Sequence, residues 1–135
     1  MKNSFEQELR TALEAVRQAA HLCRAVQAHL DRGVLDKSDR SPVTVADFGS
    51  QALICRVLSE HFPSDPVIAE EDAAALRQPA QAQLLAKVVE EVGAIRGGGG
   101  AEEVCAWIDH GRTADYQERF WTLDPIDGTK GFLRN

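Results

Sequence analysis

One amphipathic pattern near the start of the sequence constrains the fold more than any other feature. Between residues 4 and 31, apolar residues recur at steps of three and four, which keeps them on one face of an α-helix. The residues of this stripe are Phe5, Leu9, Leu13, Val16, Ala20, Cys23, Val26 and Leu30. The opposite face carries charged residues such as Glu6 and Arg10. The pattern therefore predicts one long helix that buries the apolar stripe.

The rest of the sequence reads as an alternation of short strands and shorter helices. Val-Thr-Val at 43–45 has the β-branched character of a strand, and Val-Ile-Ala at 67–69 reads as a short buried strand. Helices are predicted over 48–61, 81–93 and 101–109, and a last strand over 120–123. This order predicts a mixed α/β layered sandwich in which helices cover a sheet.

Composition and charge exclude several classes of protein. Hydrophobic residues make up 44% and charged residues 27% of the sequence, which is typical of one globular domain over 1–135. The net charge of −6 argues against a nucleic-acid partner, because duplex binding needs a basic face. No apolar run approaches the roughly 20 residues that span a bilayer, and the first residues lack a secretory signal core. We therefore expect a cytoplasmic protein without a membrane partner.

The cysteines support the same expectation about location. Cys23, Cys55 and Cys105 are scattered among apolar residues and have no CxxC spacing. Such cysteines are more typical of buried free thiols in a reducing compartment than of a disulfide framework or a zinc site.

Acidic residues follow each predicted strand. Asp47 comes after the first, Glu70 and Glu71 after the second, and Asp124 and Asp127 after the third. Because ligands in α/β folds bind beyond the carboxyl ends of strands, we expect these carboxylates to meet in one cleft. Cations such as Mg²⁺ would relieve their repulsion, and two cations would build a site for phosphoryl transfer to water. Two simpler interpretations stay open, since Asp47 can cap a helix and Glu71 can belong to a solvated surface.

The segment 124–129 reads Asp-Pro-Ile-Asp-Gly-Thr and concentrates this chemistry. Its proline fixes a turn that can bring the two aspartates together and aim the Ile126 carbonyl at the same point. Gly128 permits unusual backbone angles, and a helix starting there would direct free N–H groups at a phosphate. The Thr129 hydroxyl and Asp47 could together orient a water molecule and accept its proton. Taken alone, the segment is also compatible with a plain turn.

Three blocks of the sequence, in order, resemble the inositol monophosphatase superfamily of metal-dependent, lithium-sensitive phosphatases. They are SPVTVADFGSQALI, VIAEED and LDPIDGTKGFLR. The variants KSDRSPVTVADFGSQA and DPIDGTKGFLR are similar to the 3′(2′),5′-bisphosphate nucleotidase branch, whose members hydrolyse adenosine 3′,5′-bisphosphate (PAP) to AMP and phosphate. The resemblance implies a layered sandwich with a sheet between helices, two or more Mg²⁺ ions, and a phosphorylated nucleotide substrate of sulfur and nucleotide metabolism.

The resemblance also implies a role for each candidate site residue. Metal ligands would be the carboxylates of Glu70, Asp124 and Asp127 and the carbonyl of Ile126. Asp47 and Thr129 would activate the attacking water, and the backbone amides of Gly128 and Thr129 would hold the scissile phosphate. Glu71 would lie just behind the metal ligands.

The extent of the resemblance shapes the functional hypotheses. It covers about residues 36–135, whereas family members continue for about as many residues again, with a further Asp ligand in a Trp-Asp block. The resemblance therefore implies the N-terminal, metal-binding part of such a phosphatase. Two alternatives stand beside PAP hydrolysis: a non-catalytic fragment or metal-binding half-domain, and an activity on inositol phosphates. The tail KGFLR argues against the second.

Overall fold

The computed structural model describes residues 5–31, 41–112, 117–128 and 132. In chain order its elements are α1 (Glu6–Asp31), α2 (Ser41–His61), β1 (Val67–Ala69), a 3-10 turn (Pro79–Gln81), α3 (Ala82–Ile95), α4 (Ala101–Asp109) and β2 (Trp121–Leu123). Within these ranges, every helix is too short or too polar to traverse a bilayer. The prediction of a mixed fold is confirmed, since the chain forms a helix-rich α+β structure with a short parallel sheet.

The first helix forms as predicted but turns a different face inward. The large apolar residues of its first half, Phe5, Leu9, Leu13 and Val16, are 58% to 61% exposed, and Ala20 is exposed too. The buried face consists of Thr11, Ala15, Ala19, Leu22 and Val26. Gly49 of α2 leaves room for this face, because a Cβ added to Gly49 would lie only 2.6 Å from Leu22 Cδ1. The predicted stripe is therefore wrong for the first half of α1, and the side chain of Leu30 lies outside the description.

The second helix begins earlier than predicted. It starts at Ser41 and runs through 43–45, so the predicted strand there is wrong. Both Val43 and Val45 are buried in the helix, and this burial outweighs the preference of β-branched residues for strands. Asp47 consequently lies inside α2 and neither follows a strand nor caps a helix.

Two short parallel strands form the sheet. Val67 pairs with Trp121 and Ala69 with Leu123, which confirms the two strands predicted at these positions. The other side of β1 is covered by an antiparallel bridge from Ile68 to Arg112. Because β1 and β2 are parallel and in register, their carboxyl ends lie at the same edge. This shared edge positions the candidate site.

Helices α1 to α4 bury most of the apolar side chains. Helix α3 buries Val88 and Val92, and α4 buries Val104 and Ile108. A second cluster of buried residues joins α1 and α2 to the sheet through Val67. Cys55 and Cys105 are buried, Cys23 is half-buried, and all are free thiols. The sheet therefore lies at the margin of a helical core.

Candidate functional site

The carboxyl edge of the sheet carries the acidic residues that follow the strands. Glu70 follows β1 directly and Asp124 follows β2 directly, and the residues before them, Ala69 and Leu123, are register partners. The prediction that these two strands end at one edge is confirmed. Among the described residues, nothing forms a hydrogen bond or ion pair with the carboxylates of Glu70, Glu71 or Asp124.

Asp47 reaches this edge from inside α2. Its pKa is raised from an ordinary value of 3.8 to about 7, first by burial and then by the negative charges of Glu71, Glu70 and Asp124 in that order. The pKa of Glu71 is raised as well, first by burial and then by neighbouring carboxylates that include Glu70 and Asp124. Asp47, Glu70, Glu71 and Asp124 therefore form one electrostatic group, which we call the acidic cluster.

The roles predicted for the other residues of the segment 124–129 stay predictions. Asp127 is exposed and is not among the charges that raise the pKa of Asp47 or Glu71. Ile126 is half-buried and packs against the helical core. Gly128 has a φ of +77°, which confirms the predicted need for an unusual backbone angle. Thr129 and the KGFLR tail, apart from Phe132, lie outside the described residues.

Basic side chains near this edge are engaged elsewhere. The Arg112 guanidinium lies 3.8 Å from Asp72, the acid that follows the cluster along the chain. Arg77 pairs with Asp109 at 2.6 Å. Both arginines thus approach acids outside the cluster, so neither of them neutralises it.

The backbone of the acidic segment is held by neutral groups and by one aspartate. Gln51 of α2 accepts a hydrogen bond from the Glu71 N–H at 3.0 Å and donates to the Glu71 carbonyl at 2.7 Å. Asp109 Oδ1 accepts from the Ala73 N–H at 2.9 Å, and the Gly111 carbonyl accepts from the Ala69 N–H at 2.8 Å. These contacts fix the main chain and leave the Glu70 and Glu71 carboxylates available.

Sequence reasoning missed the role of Gln51 in this arrangement. The residue lies in the block SPVTVADFGSQALI, and no role is predicted for it from the sequence. Its signal was a polar side chain followed directly by the apolar run Ala-Leu-Ile-Cys, four residues after Asp47. A polar residue at a buried helical position requires hydrogen-bonding partners, and the search for these partners leads to Glu71.

Helix α1 also borders the site. The Cys23 thiol lies 3.3 Å from the Ser50 hydroxyl, and either group can donate the hydrogen bond. Burial raises the pKa of Cys23, the hydrogen bond with Ser50 lowers it, and the charge of Asp47 raises it again. The thiol therefore stays protonated at neutral pH and adds no charge beside Asp47.

The donor set suits a hard divalent cation in charge and in atom type. Carboxylate oxygens are the ligands that Mg²⁺ and similar ions prefer, and a cation would offset the repulsion that raises the pKa of Asp47. In the part of the chain that the structure describes, no three His, Cys, Asp or Glu side chains stand close enough to hold a metal ion together. The described residues therefore match a divalent cation in charge and in donor atom, but they do not form a complete set of ligands.

Comparison with known proteins gives a consistent family signal. The sequence profile described as "Inositol monophosphatase family" matches residues 3–135. A 3'(2'),5'-bisphosphate nucleotidase of Schizosaccharomyces pombe is 40% identical over 97% of this chain and 41% of its own length. Proteins of the same name from Emericella nidulans and Oryza sativa are 40% and 42% identical, over 97% and 98% of this chain and 40% of their own length. The chain thus spans about two fifths of the length of these curated relatives.

Proposed function

Because the chain belongs to the inositol monophosphatase family, we propose that it contributes the metal-binding and water-activating residues of a phosphomonoesterase that hydrolyses PAP to AMP and phosphate. The observation that carries the proposal is the acidic cluster at the shared strand edge, where burial and then the neighbouring carboxylates raise the pKa of Asp47 to about 7. The names of the relatives support a bisphosphorylated nucleotide as the substrate.

The proposed cation site consists of the carboxylates of Glu70, Asp124 and Asp127 and the carbonyl of Ile126. The ions would be Mg²⁺, two or more in a complete site, and they would supply positive charge to the phosphoryl oxygens and the leaving oxygen. Glu71 would keep its carboxylate behind the ligands and add to the attraction for the cation.

Asp47 is the proposed base of the reaction. A water oxygen forms the new bond to the 3′-phosphorus, the bond between phosphorus and the ribose 3′-oxygen breaks, Asp47 takes the water proton, and the ribose oxygen takes up a proton from solvent. Without a cation, burial and then the neighbouring charges raise the pKa of Asp47. A bound cation would lower this pKa again, which leaves the carboxylate ionised and able to accept a proton at neutral pH. The Thr129 hydroxyl would orient the water, and the backbone amides of Gly128 and Thr129 would bind the scissile phosphate.

The wider setting belongs to the same proposal. Hydrolysis of PAP would connect the protein with sulfur and nucleotide metabolism in the cytoplasm, with a small nucleotide as partner and neither nucleic acid nor membrane. Residues 1–135 would form the N-terminal metal-binding part of the phosphatase domain. An inositol phosphate is the competing substrate within the same family.

A second candidate function is cation binding without turnover. One observation favours it: the described residues do not gather three metal-binding side chains, so a cation would meet an incomplete set of ligands there. In this case the chain would bind a divalent cation weakly and release no phosphate from PAP.

A binding experiment tests the part that both candidates share. We expect calorimetric titration with Mn²⁺ to show binding to the unmodified chain and much weaker binding to Asp124→Asn. The loss should exceed the roughly 10- to 100-fold typical of residues behind the ligands. Glu90→Gln on α3 removes the same charge from an exposed site remote from the sheet and should leave the affinity unchanged. Equal Mn²⁺ affinity in all three proteins would contradict the proposed cation site.

Phosphate release then separates the candidates. PAP and inositol 1-phosphate are each incubated with the chain and Mg²⁺, and with Asp47→Asn as the control. Release from PAP that is lost in Asp47→Asn supports the phosphatase, and release from inositol 1-phosphate alone would reassign the substrate. Cation binding without release from either compound supports the second candidate.

A further inference from the structure

Gln51 is a fully buried amide in the middle of α2. Its side chain is 0% exposed, and its neighbours Ala52, Leu53 and Ile54 belong to the apolar interior. A buried amide that lacks partners costs about 1–3 kcal/mol, so its presence in a helical core demands hydrogen bonds. Gln51 has three: it accepts from the Glu71 N–H, and it donates to the carbonyls of Glu71 and Ile108 at 2.7 Å and 2.8 Å.

The contacts with Glu71 use both backbone polar groups of that residue, its N–H and its C=O. A side chain that accepts from the N–H and donates to the C=O of the same residue imitates a neighbouring strand, and it extends the backbone pairing of β1 beyond its last residue. Gly111 makes room for this amide. A Cβ added to Gly111 would lie 2.6 Å from Ala69 Cβ and 3.0 Å from Gln51 Nε2, so the site tolerates only glycine without rearrangement.

The position of Gln51 on the helix connects this contact to the candidate base. Gln51 follows Asp47 by four residues, which places both side chains on the same face of α2, one turn apart. The amide therefore joins the helix that carries Asp47 to the backbone that carries Glu70 and Glu71. We propose that Gln51 is a positioning residue, which sets the distance between Asp47 and the carboxylates that follow β1.

The chemistry of an amide suits this role. A lysine or arginine in the same place would also hold the Glu71 carbonyl, but its charge would neutralise the acidic cluster and compete with a cation. Gln51 is neutral and uses both an acceptor and donors, so it fixes the backbone while the cluster keeps its charge. The inference rests on the proposed cation site, because only a ligand at the cluster gives this distance a function.

The first experiment separates positioning from a merely structural role. Gln51→Met keeps the length and volume of the side chain but removes every hydrogen bond to Glu71. We expect the Mn²⁺ affinity of the folded variant, measured by electron paramagnetic resonance of free Mn²⁺, to fall about 10- to 100-fold. Val88→Ala, at a buried site on α3, is the control: it lowers the melting temperature but should keep the affinity of the unmodified chain. Unchanged Mn²⁺ affinity in Gln51→Met would overturn the proposal.

Two further measurements keep the result interpretable. If circular dichroism shows that Gln51→Met is unfolded, the Mn²⁺ affinity of Gln51→Asn is measured in its place. The asparagine side chain is one methylene shorter, so its amide no longer reaches Glu71. If the unmodified chain binds no Mn²⁺, the proposed cation site is wrong. Amide hydrogen exchange then tests the contact between Gln51 and the Glu71 backbone. Loss of protection at Glu71 but not at Val88 in the Gln51 variant supports the link between α2 and the acidic segment, and retained protection at Glu71 refutes it.

Discussion

The helical body and the acidic edge of the sheet differ in how their side chains are paired. In the body, buried apolar residues such as Leu22 and Leu53 pack closely, and ion pairs such as Arg96–Glu60 lie at the surface. At the edge, carboxylates gather without partners among the described residues, and burial followed by their repulsion raises the pKa of Asp47. Packing thus supplies stability in one region, while the described part of the other holds like charges that a bound cation would offset.

A few side chains connect the two regions. Gln51 lies in the body and holds the backbone of Glu71, and Asp109 at the end of α4 holds the Ala73 N–H. The body therefore holds the acidic segment in place through hydrogen bonds to its main chain, although the carboxylates of the segment repel one another. This comparison predicts that substitutions in the body change stability, and that substitutions at the edge change charge-dependent properties.

The largest effect is expected inside the body, at Leu22. Leu22→Ala removes a side chain that is 0% exposed and packs beside Gly49, and it should lower the free energy of unfolding by about 2–5 kcal/mol in urea denaturation. Leu13→Ala is the matched control on the same helix. Its side chain is 58% exposed, so the loss should stay within about 0.5 kcal/mol. Similar losses at both positions would mean that the exposed stripe of α1 is covered in solution.

The next effect is expected at the connection, at Asp109. Burial raises the pKa of this carboxyl, but hydrogen bonds from the Ala73 N–H and from Arg77 more than offset it, and the pKa lies below its ordinary value of 3.8. A lowered folded-state pKa stabilises the fold above the ordinary value, and this stabilisation is lost as pH falls through the folded-state pKa. Asp109→Ala should therefore lower the free energy of unfolding by about 1–2 kcal/mol at pH 7.

The pH dependence gives the test at Asp109. The difference between Asp109→Ala and the unmodified chain should shrink as urea denaturation is repeated below about pH 4. Glu90→Ala, at an exposed site of α3, serves as the control and should show little difference at any pH. A difference that is constant between pH 7 and pH 3 would argue against a role for the ionised carboxylate.

At the edge, removal of a charge should stabilise the protein. Because the folded-state pKa of Asp47 is raised to about 7, the unmodified chain loses stability as pH rises from about 4 to above 7. Asp47→Asn avoids this loss. At pH 8 in EDTA it should be more stable by on the order of 1 kcal/mol, since solvent screens a half-buried carboxylate.

The gain from Asp47→Asn should fade below about pH 4, where the unmodified side chain is protonated in both states. Melting temperatures measured across this range test the sign, with Glu118→Gln as an exposed control. A variant that is less stable than the unmodified chain at pH 8 would show that the Asp47 carboxylate has favourable partners.

The smallest effect is expected at the ion pair on the surface of the body. Glu60 accepts two hydrogen bonds from Arg96, at 2.6 Å and 2.7 Å, and these lower its pKa. Both side chains remain partly exposed, so Glu60→Gln should cost only about 0.5 kcal/mol, and less at high salt. Denaturation at low and high NaCl measures this difference. A cost comparable to that of Leu22→Ala would break the contrast between packing and surface charge.

The sequence predicted the elements more reliably than their contacts. Periodicity located α1, α3 and α4 to within a few residues, and short apolar runs located β1 and β2. It could not choose the buried face of α1, because small residues such as Ala15 and Ala19 carry little hydrophobic signal although they allow α2 to approach. It also misassigned 43–45, where burial in a helix outweighs a local preference for strand.

In the candidate site, too, the sequence predicts some positions and not others. The meeting of Glu70 and Asp124 followed from the rule that parallel strands share a carboxyl edge, and the structure agrees. Asp47 reaches the cluster from inside a helix, which the rule for strand ends could not predict. Gln51 forms hydrogen bonds with backbone groups that are distant along the chain, and no local sequence pattern predicts such contacts.

The parallel pairing of β1 and β2 has a consequence for the order of folding. Residues 67–69 pair with residues 121–123, and both α3 and α4 lie between them along the chain. Contacts between segments so distant in sequence form late, since closing a long loop costs entropy that earlier local contacts must repay. The helices can assemble while Asp124 is still remote from Glu70, so the mutually repelling charges meet only after the packing that restrains them has formed.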